Sequence, residues 1–486
     1  MTTRSQTSST APIALIAFLL LLAAIGGLVI AKTGPGLSLG AALLLVVLFA
    51  SFLNTELALH IIILSMLLSP EIVVGGVGGV SIGKPGVKGD LLVLRIEDLI
   101  LGVVALAWIA KVAIFKDLGM VRKTPLNTPI FAYVALLIVA TLFGVLFGNV
   151  RPLRGFFFLL KYIEYFVVFF MTVNSIHEER QLRRLLATAL ITCAISSVIG
   201  ILQIPSGERV AAPFEGQYGE PNTFGGYLIL MLAITLGLAL AAKTLPRQIC
   251  WYAFAALIVI PLLFTLSRTS WLASIPMLLT LIFFSPRRMI VVIGVMVAVV
   301  FGSSFMPKSV IDRYNYTLNA KEDRGDYEIG GAKVDTSTSA RFDSFRQGFA
   351  GWVKRPFFGY GVTGFAFMDA QFVRVLVEAG LFGLAAFIWL LYRTWRTARG
   401  VCRQLAGSRY EGLALGYLAG FAAMIMHCIG ANTFIIVRIM EPFWFLTGII
   451  TLLPALVVSE LAPQSAPLAN SAVGSGPRHE IAAIPR

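Results

Sequence analysis

The chain has 486 residues, of which 57% are hydrophobic and only 13% are charged, and its mean hydropathy is +0.84. A soluble globular protein of this length is far more polar, so these values exclude that class and predict a polytopic membrane protein. The formal net charge of +14 could suggest nucleic acid as a partner. However, the basic residues lie in short loops between apolar runs, where the positive-inside rule accounts for them, and no nucleic-acid partner is expected.

Apolar runs follow one another along most of the chain. A spanning helix needs about 20 apolar residues, and on this criterion we predict an all-α transmembrane bundle with about fourteen spans. The predicted spans are residues 12–31, 37–53, 55–73, 91–110, 127–148, 155–174, 186–204, 222–242, 250–266, 269–284, 288–305, 370–391, 411–430 and 441–459. The first run is longer than the apolar part of a signal peptide, and another span follows at once, so we expect an uncleaved helix.

Basic residues are concentrated in alternate loops, which predicts that both ends of the chain lie in the cytoplasm. The basic loops are K-V-A-I-F-K-D-L-G-M-V-R-K, H-E-E-R-Q-L-R-R, S-P-R-R and Y-R-T-W-R-T-A-R-G-V-C-R. The resulting organisation is a cytoplasmic tail at 1–11, N-terminal transmembrane helices at 12–189, a second helical region at 190–305, a large outer loop at 306–369, C-terminal transmembrane helices at 370–459 and a disordered cytoplasmic tail at 460–486.

The large outer loop contains an amphipathic segment from Ser339 to Lys354. Four aromatic residues, Phe342, Phe345, Phe349 and Trp352, recur there at helical spacing with charged residues between them. The pattern predicts a helix, with T-S-T-S as a candidate cap at its start. Such a helix either packs on the bundle or lies in the membrane interface, or it acts as a lid over a lipid-linked substrate.

Polar residues gather at the predicted outer ends of several spans. The clusters are Arg151, Arg154, Lys161 and Glu164; Glu215, Glu220 and Asn222; Arg268; Asp369, Gln371, Arg374 and Glu378; and a possible fifth at Arg95, Glu97 and Asp98. Three of the spans begin at this face, and their helix N-termini carry unpaired N–H groups and a partial positive charge. Together with several arginines, these ends would suit a doubly anionic group such as a diphosphate.

Most of these residues also have a structural alternative. Arg374 and Glu378 could neutralise each other four residues apart, Asp369 could cap a helix, Arg151 and Arg154 could anchor lipid head groups, and Lys161 with Glu164 could be a buried pair. For Arg268 we favour a functional role over a structural one, because it lies in a short turn between two spans and is flanked by hydroxyl residues. The isolated His60 and His427 are interpreted as structural.

The sequence offers no sign of a metal or organic cofactor. No His or Cys cluster has metal-ligand spacing, and neither a Walker loop nor a dinucleotide fingerprint occurs. The four cysteines, Cys193, Cys250, Cys402 and Cys428, are not expected to form a structural disulfide.

Three segments make the chain resemble the bacterial O-antigen ligase and polymerase superfamily. They are Y-G-E-P-N-T-F-G-G-Y-L at the start of a span, L-S-R-T-S-W-L-A, and R-F-D-S-F-R-Q-G-F-A-G-W-V-K-R-P-F-F-G-Y-G-V-T-G-F leading into L-V-E-A-G-L-F-G-L. The resemblance covers about residues 190–390. It implies a multi-span glycosyltransferase that uses an undecaprenyl-diphosphate-linked glycan on the periplasmic face of the inner membrane, without a nucleotide sugar or a required metal. Arg268 occupies the position of a family arginine that holds the diphosphate.

One departure from the family pattern concerns the residue nine positions before Glu378. Ligases of the family tend to have histidine there, whereas this chain has Asp369 in D-A-Q-F. The D-A-Q-F sequence resembles the corresponding segment of polymerase-like members of the family. It favours polymerisation of repeat units into exopolysaccharide or O-antigen. The resemblance implies Asp369 as the base. Because a carboxylate is a weak base at its ordinary pKa, burial would have to raise the pKa of Asp369.

The sequence therefore predicts a site of ten residues in the outer half of the bundle. The candidate catalytic residues are Asp369, Arg268 and Glu378, and the candidate substrate-binding residues are Arg151, Arg154, Glu220, Asn222, Gln371, Arg374 and Arg341. Expected partners are the lipid-linked glycan, membrane lipids, and a chain-length regulator and a flippase of the same pathway. The alternatives are ligase-type transfer to lipid A core or protein, a secondary transporter of a lipid or anion, and a non-catalytic assembly scaffold.

Overall fold

A computed structural model describes residues 35–74, 92–114, 122–214, 219–305, 307–312, 324–329, 332–366 and 368–461. The predicted span at 12–31, the tail at 1–11, almost all of the tail at 460–486, and Glu215 lie outside the described residues.

The described chain is mainly helical. Its principal helices are α1 (Pro35–Leu53), α2 (Thr55–Leu68), α3 (Ile96–Ile114), α4 (Asn127–Leu146), α5 (Pro152–Ser175), α6 (Glu179–Gln203), α7 (Pro221–Ala241), α8 (Leu245–Phe264), α9 (Arg268–Phe284), α10 (Arg288–Phe305), α11 (Thr336–Lys354), α12 (Gln371–Gln404), α13 (Glu411–His427) and α14 (Val437–Leu461). Each predicted span from 37–53 onward coincides with one of these helices, although the ends differ by several residues. The helical fold class is therefore confirmed.

Seven of the described helices are long and apolar enough to cross a membrane, judged by length and composition: α4, α5, α6, α7, α8, α12 and α14. Several further apolar helices, including α9 and α13, are shorter than 18 residues. The total of about fourteen spans stays a prediction.

Two antiparallel strand pairs interrupt the helical pattern. They are β1 (Glu71–Val74) with β2 (Leu92–Arg95), and β3 (Arg324–Ile329) with β4 (Ala332–Asp335). The predicted span 55–73 is therefore wrong at its end, because α2 stops at Leu68 and a strand follows. Proline disfavours the helical conformation of the residue before it, and Pro70 follows Ser69 in the sequence S-P-E-I-V-V. The β-branched residues that come next favour a strand.

Helix α12 is broken at Gly380, which has φ 68° and ψ −168°. The loop before the helix fills the gap: Tyr360 N–H donates to Val377 O (2.9 Å), Gly361 N–H donates to Glu378 O (2.8 Å), and Leu381 N–H donates to Pro356 O (2.8 Å). The break therefore leaves these backbone groups satisfied, as required inside a membrane protein. The predicted span 370–391 is thus two helical segments, with Gln371–Gly380 forming the part nearest the outer loop.

A fully buried ion pair joins distant parts of the chain at the start of α14. Arg438 Nε lies 3.4 Å from Glu97 Oε1, and the guanidinium also donates to Ser69 O (2.9 Å) and Pro213 O (3.3 Å). Ser69 Oγ in turn donates to the Glu97 carboxylate. The start of α3, the end of α2 and the loop before α7 therefore meet α14 at one end of the bundle, as the predicted alternation of helix directions requires.

The predicted orientation can be tested by cysteine labelling. A cysteine placed at Ser337, in α11 of the outer loop, is expected to react with a membrane-impermeant maleimide in intact cells. One placed at Ser408, in the turn after α12, is expected to react only after permeabilisation, because basic loops stay inside. The reverse labelling pattern would contradict the orientation and move the candidate site to the cytoplasm.

Candidate functional site

Asp369 lies in the short connection between the outer loop and α12. The N-cap of α12 is Ala370, with no side-chain capping bond, and the helix begins at Gln371. The structure therefore does not place Asp369 in the N-cap position that the alternative interpretation required. The side chain is partly buried and stays at the mouth of the bundle.

Three charged side chains from different elements act electrostatically on Asp369. Burial is the main influence and raises the pKa of the carboxyl; Arg341 of α11 and Arg374 of α12 act in the opposite direction, and Glu220 raises it. A raised pKa makes a carboxylate a better proton acceptor near neutral pH. Of the predicted residues, Arg341, Glu220 and Arg374 therefore influence the charge of the proposed base.

Arg268 is the first residue of α9, and a hydrogen-bonded chain fixes the start of that helix. Ser267 is the N-cap, accepts a bond from Ser270 N–H, and donates through its hydroxyl to Asn222 Oδ1 of α7 (2.8 Å). Ser270 Oγ lies 2.9 Å from Ser267 Oγ and 3.2 Å from His427 Nε2 of α13. The N-termini of α7 and α9 are thus held together, so Asn222 helps to position the start of the helix that carries Arg268.

The segment 428–434, between α13 and α14, connects the Arg268 region with the Asp369 region. Cys428 O accepts from Gln371 N–H (3.2 Å), and Asn432 Nδ2 donates to Met368 O, next to Asp369 (2.5 Å). Gly430 lies against Thr269, the neighbour of Arg268, and close to Arg341. Sequence reasoning missed this segment, although G-A-N-T between two spans was the available signal.

Gln371 and His427 are both buried and engaged within this framework. Gln371 Oε1 accepts from Phe434 N–H (3.0 Å), and His427 Nδ1 lies 2.8 Å from Thr433 Oγ1. Both ring nitrogens of His427 have partners, which is typical of a structural histidine. Gln371 likewise positions the start of α12 instead of presenting its carbonyl oxygen to a substrate.

Arg374 and Glu378 form a nearly buried ion pair one turn apart on α12. Arg374 Nε lies 3.3 Å from Glu378 Oε1, and the same oxygen accepts from Thr363 N–H (3.0 Å). Thr363 has a positive φ of 66°, so the loop adopts an uncommon conformation to make this bond. The pair therefore ties the outer loop to α12 while Arg374 also acts on Asp369.

Removing one member of this pair should destabilise the protein. Glu378→Leu leaves a buried guanidinium without its carboxylate, which typically costs about 3–5 kcal/mol, and thermal unfolding of the purified protein should show the loss. Arg374→Met combined with Glu378→Leu is expected to recover most of it, since no uncompensated charge remains. Equal unfolding temperatures for Glu378→Leu and the wild type would show that the pair contributes nothing to stability.

Arg151 and Arg154 occupy the exposed start of α5. Arg151 is the N-cap, and the Arg154 guanidinium lies over the Phe158 ring, 5.9 Å from its centroid. Val150, just before them, packs against Gly361 of the outer loop, so both arginines lie at the same end of the bundle as Asp369. Deeper in α5, Lys161 lies 4.0 Å from Asp98.

An apolar cavity of 610 Å³ lies between α7, α8, α9 and α10. Its outer end includes Ser270 and Trp271, within one helical turn of Arg268, and its inner end includes Leu240 and Tyr252. The lining is almost entirely hydrocarbon, and the volume is within the range of small-molecule and lipid pockets. The arrangement can hold an apolar chain whose polar end lies beside the N-terminus of α9.

Among the described residues, no group of three His, Cys, Asp or Glu side chains is arranged to hold a metal ion. The four cysteines are all free thiols.

Comparison with known proteins identifies one family. Residues 253–388 match the family model described as O-antigen ligase. The match runs from α8 through the outer loop to the middle of α12, and it includes Arg268, Arg341, Asp369, Arg374 and Glu378. A comparison with curated proteins gives no significant match.

Proposed function

Because the chain belongs to the O-antigen ligase superfamily through residues 253–388, we propose that it is a membrane glycosyltransferase of the polymerase type. Its substrate is an undecaprenyl-diphosphate-linked oligosaccharide repeat unit, and its product is an exopolysaccharide or O-antigen chain. The reaction takes place at the periplasmic face of the bacterial inner membrane. Members of this family are glycosyltransferase-like enzymes that act on glycans.

The observation that carries this proposal is the junction of the apolar cavity with the start of α9. A polyprenyl chain in the cavity would leave its diphosphate beside Ser270 and Trp271, and therefore beside Arg268. The N-terminus of α9 adds N–H groups and a partial positive charge at the same place. A lipid diphosphate matches both halves of this arrangement, since it combines a long hydrocarbon with a compact double anion.

The charges at the mouth of the bundle then suggest a division of labour. An acceptor hydroxyl oxygen attacks the anomeric carbon of the donor sugar, the bond from that carbon to the phosphate oxygen breaks, and its electron pair leaves with the diphosphate. Arg268 stabilises the charge that develops on this leaving group. Asp369 takes the proton from the acceptor hydroxyl, and Arg341 and Arg374 beside it keep its charge compensated.

Asp369 also bears on the choice between polymerase and ligase. The resemblance places histidine at this position in ligases, and the carboxylate here favours the polymerase-type reaction. Transfer to lipid A core or to protein is the second candidate, since it uses the same donor and the same leaving group. A secondary transporter would instead need charges near the middle of the membrane, whereas Asp369, Arg341 and Glu220 gather at one end of the bundle.

The donor class can be tested directly with the purified protein. Incubation with an undecaprenyl-diphosphate-linked repeat unit should release undecaprenyl diphosphate, one molecule for each new glycosidic bond. The corresponding nucleotide sugars should give no product. Release of no lipid diphosphate, or efficient use of a nucleotide sugar, would contradict the proposed donor.

A further inference from the structure

The inner end of α12 carries a second concentration of positive charge, far from Asp369. After the break at Gly380 the helix continues to Gln404; these 24 residues span about 36 Å at 1.5 Å per residue, which exceeds the hydrocarbon thickness of about 30 Å. Its last turns carry Arg393, Arg396, Arg399 and Arg403 in the segment Y-R-T-W-R-T-A-R-G-V-C-R-Q. This surface is the arginine segment, residues 392–404.

Two adjacent cavities open along the arginine segment. One, of 320 Å³, is an open groove on the exposed face of α12, lined by Tyr392, Trp395, Arg396, Arg399, Gly400 and Arg403. The other, of 420 Å³, includes Arg393 and Gln404 and extends to Pro125 and Pro454. Arg396 and Gly400 line both cavities, so the two spaces share a wall.

The chemistry of both linings is cationic, with no carboxylate. Neither cavity is lined by Asp or Glu, and no ion pair is found for Arg396, Arg399 or Arg403 among the described residues. All four basic residues are arginine, whose planar fork binds phosphate oxygens in a bidentate manner. Tyr392 and Trp395 are ring types enriched at the membrane interface.

Gly400, which lines both cavities, has no side chain to separate them. A Cβ atom at this position would meet no other heavy atom within 4 Å, so the space between the two cavities is open. Glycine weakens a helix interior by about 1 kcal/mol relative to alanine, so its presence here needs a reason other than helix stability. Gly400 lines both cavities, so a larger side chain here would stand between them.

We propose that the arginine segment is a binding site for an anionic glycerophospholipid with two phosphodiester groups. One phosphodiester occupies each cavity, Arg396 contacts both, and the acyl chains run along the inner half of the bundle. Basic pockets at the cytoplasmic ends of transmembrane helices are suited to such head groups. The site is independent of the glycosyl-transfer site, which lies at the other end of the bundle.

The test uses the full-length protein in detergent, with bound lipid counted by native mass spectrometry. A two-phosphate lipid of the cardiolipin type should bind about tenfold more tightly than phosphatidylglycerol, because it engages both cavities, and phosphatidylcholine should bind more weakly still. Inorganic pyrophosphate should not compete at equal concentration, since it lacks the acyl chains. Equal affinity for the three lipids, or equal competition by pyrophosphate, would overturn the proposal.

Three variants distinguish this site from general surface charge. Arg396→Gln, Arg399→Gln and Arg403→Gln together should abolish the preference for the two-phosphate lipid. Lys243→Gln, Arg247→Gln and Arg288→Gln together remove the same charge from exposed positions at the same end of the bundle and should retain it. Gly400→Leu fills the space between the two cavities without changing the charge. It should lower the affinity for the two-phosphate lipid to that for phosphatidylglycerol. Equal loss in both triple variants would show that only overall charge matters.

Discussion

Arg268→Ala is expected to lower polymer formation by about 10²–10³-fold while leaving the amount of inserted protein unchanged. The size is that typically lost when a preorganised group that stabilises developing charge is removed. Arg268 begins α9 at the mouth of the apolar cavity, and the neighbouring Ser267 and Ser270 are held by α7 and α13. The measurement is the rate of polymer formation by purified protein with lipid-linked repeat units.

Two further variants define what Arg268 contributes. Arg268→Lys should recover little activity, because an ammonium group lacks the bidentate fork that matches a diphosphate. Arg247→Ala removes an exposed arginine at the opposite end of the bundle and should behave as the wild type. Near-normal polymer from Arg268→Ala would reduce the residue to a structural or head-group role.

Asp369→Asn is expected to abolish activity, with a loss of about 10²–10⁴-fold, the usual contribution of a general base. The amide is nearly isosteric but cannot accept a proton. Asparagine keeps the size and polarity of the side chain, so a residue that only holds the chain in place before the N-cap Ala370 would tolerate this change. Stable protein without activity is therefore the outcome that identifies a base.

The pH dependence of wild-type activity provides a second test of Asp369 as the base. A base works in its ionised form, and burial raises the pKa of this carboxyl. Activity should therefore fall as the pH drops through the raised pKa, with an acid limb above the range of an ordinary aspartate. The assay should also proceed in EDTA.

Other outcomes would redirect the mechanism. Full activity of Asp369→Asn would move the search for a base to Glu220 or Glu378. Loss of wild-type activity in EDTA would point to a metal site.

The helices of the bundle could be predicted from the sequence because lipid imposes a simple rule. A stretch of about 20 apolar residues satisfies its own backbone only as a helix, so hydropathy locates it well. The turn that carries Arg268 could also be predicted, since a cation in a short turn between two apolar runs is conspicuous; its role in the site stays a prediction. The amphipathic spacing of Phe345 and Trp352 likewise predicted α11, which packs on the start of α12 although its first turn begins at Thr336 rather than Ser339.

What could not be predicted depends on contacts between segments that are distant in the chain. The break at Gly380 exists because the loop around Tyr360 supplies its backbone partners, and one glycine in an apolar run does not reveal that. The ion pair of Arg438 with Glu97 joins residues 341 positions apart. Asn222 and Gln371 were predicted to bind substrate, but the hydrogen bonds of their side chains join Ser267 and Phe434, so they position backbone and neighbouring side chains.

The central claim is that this chain joins lipid-linked repeat units to one another. The most direct test places the purified protein in lipid vesicles with undecaprenyl-diphosphate-linked repeat units and compares the products with and without lipid A core. The account predicts a ladder of lipid-linked products spaced by one repeat unit, formed equally well without lipid A core. A single transfer that requires lipid A core would show a ligase, and movement of the substrate across the vesicle membrane without a new glycosidic bond would contradict the account.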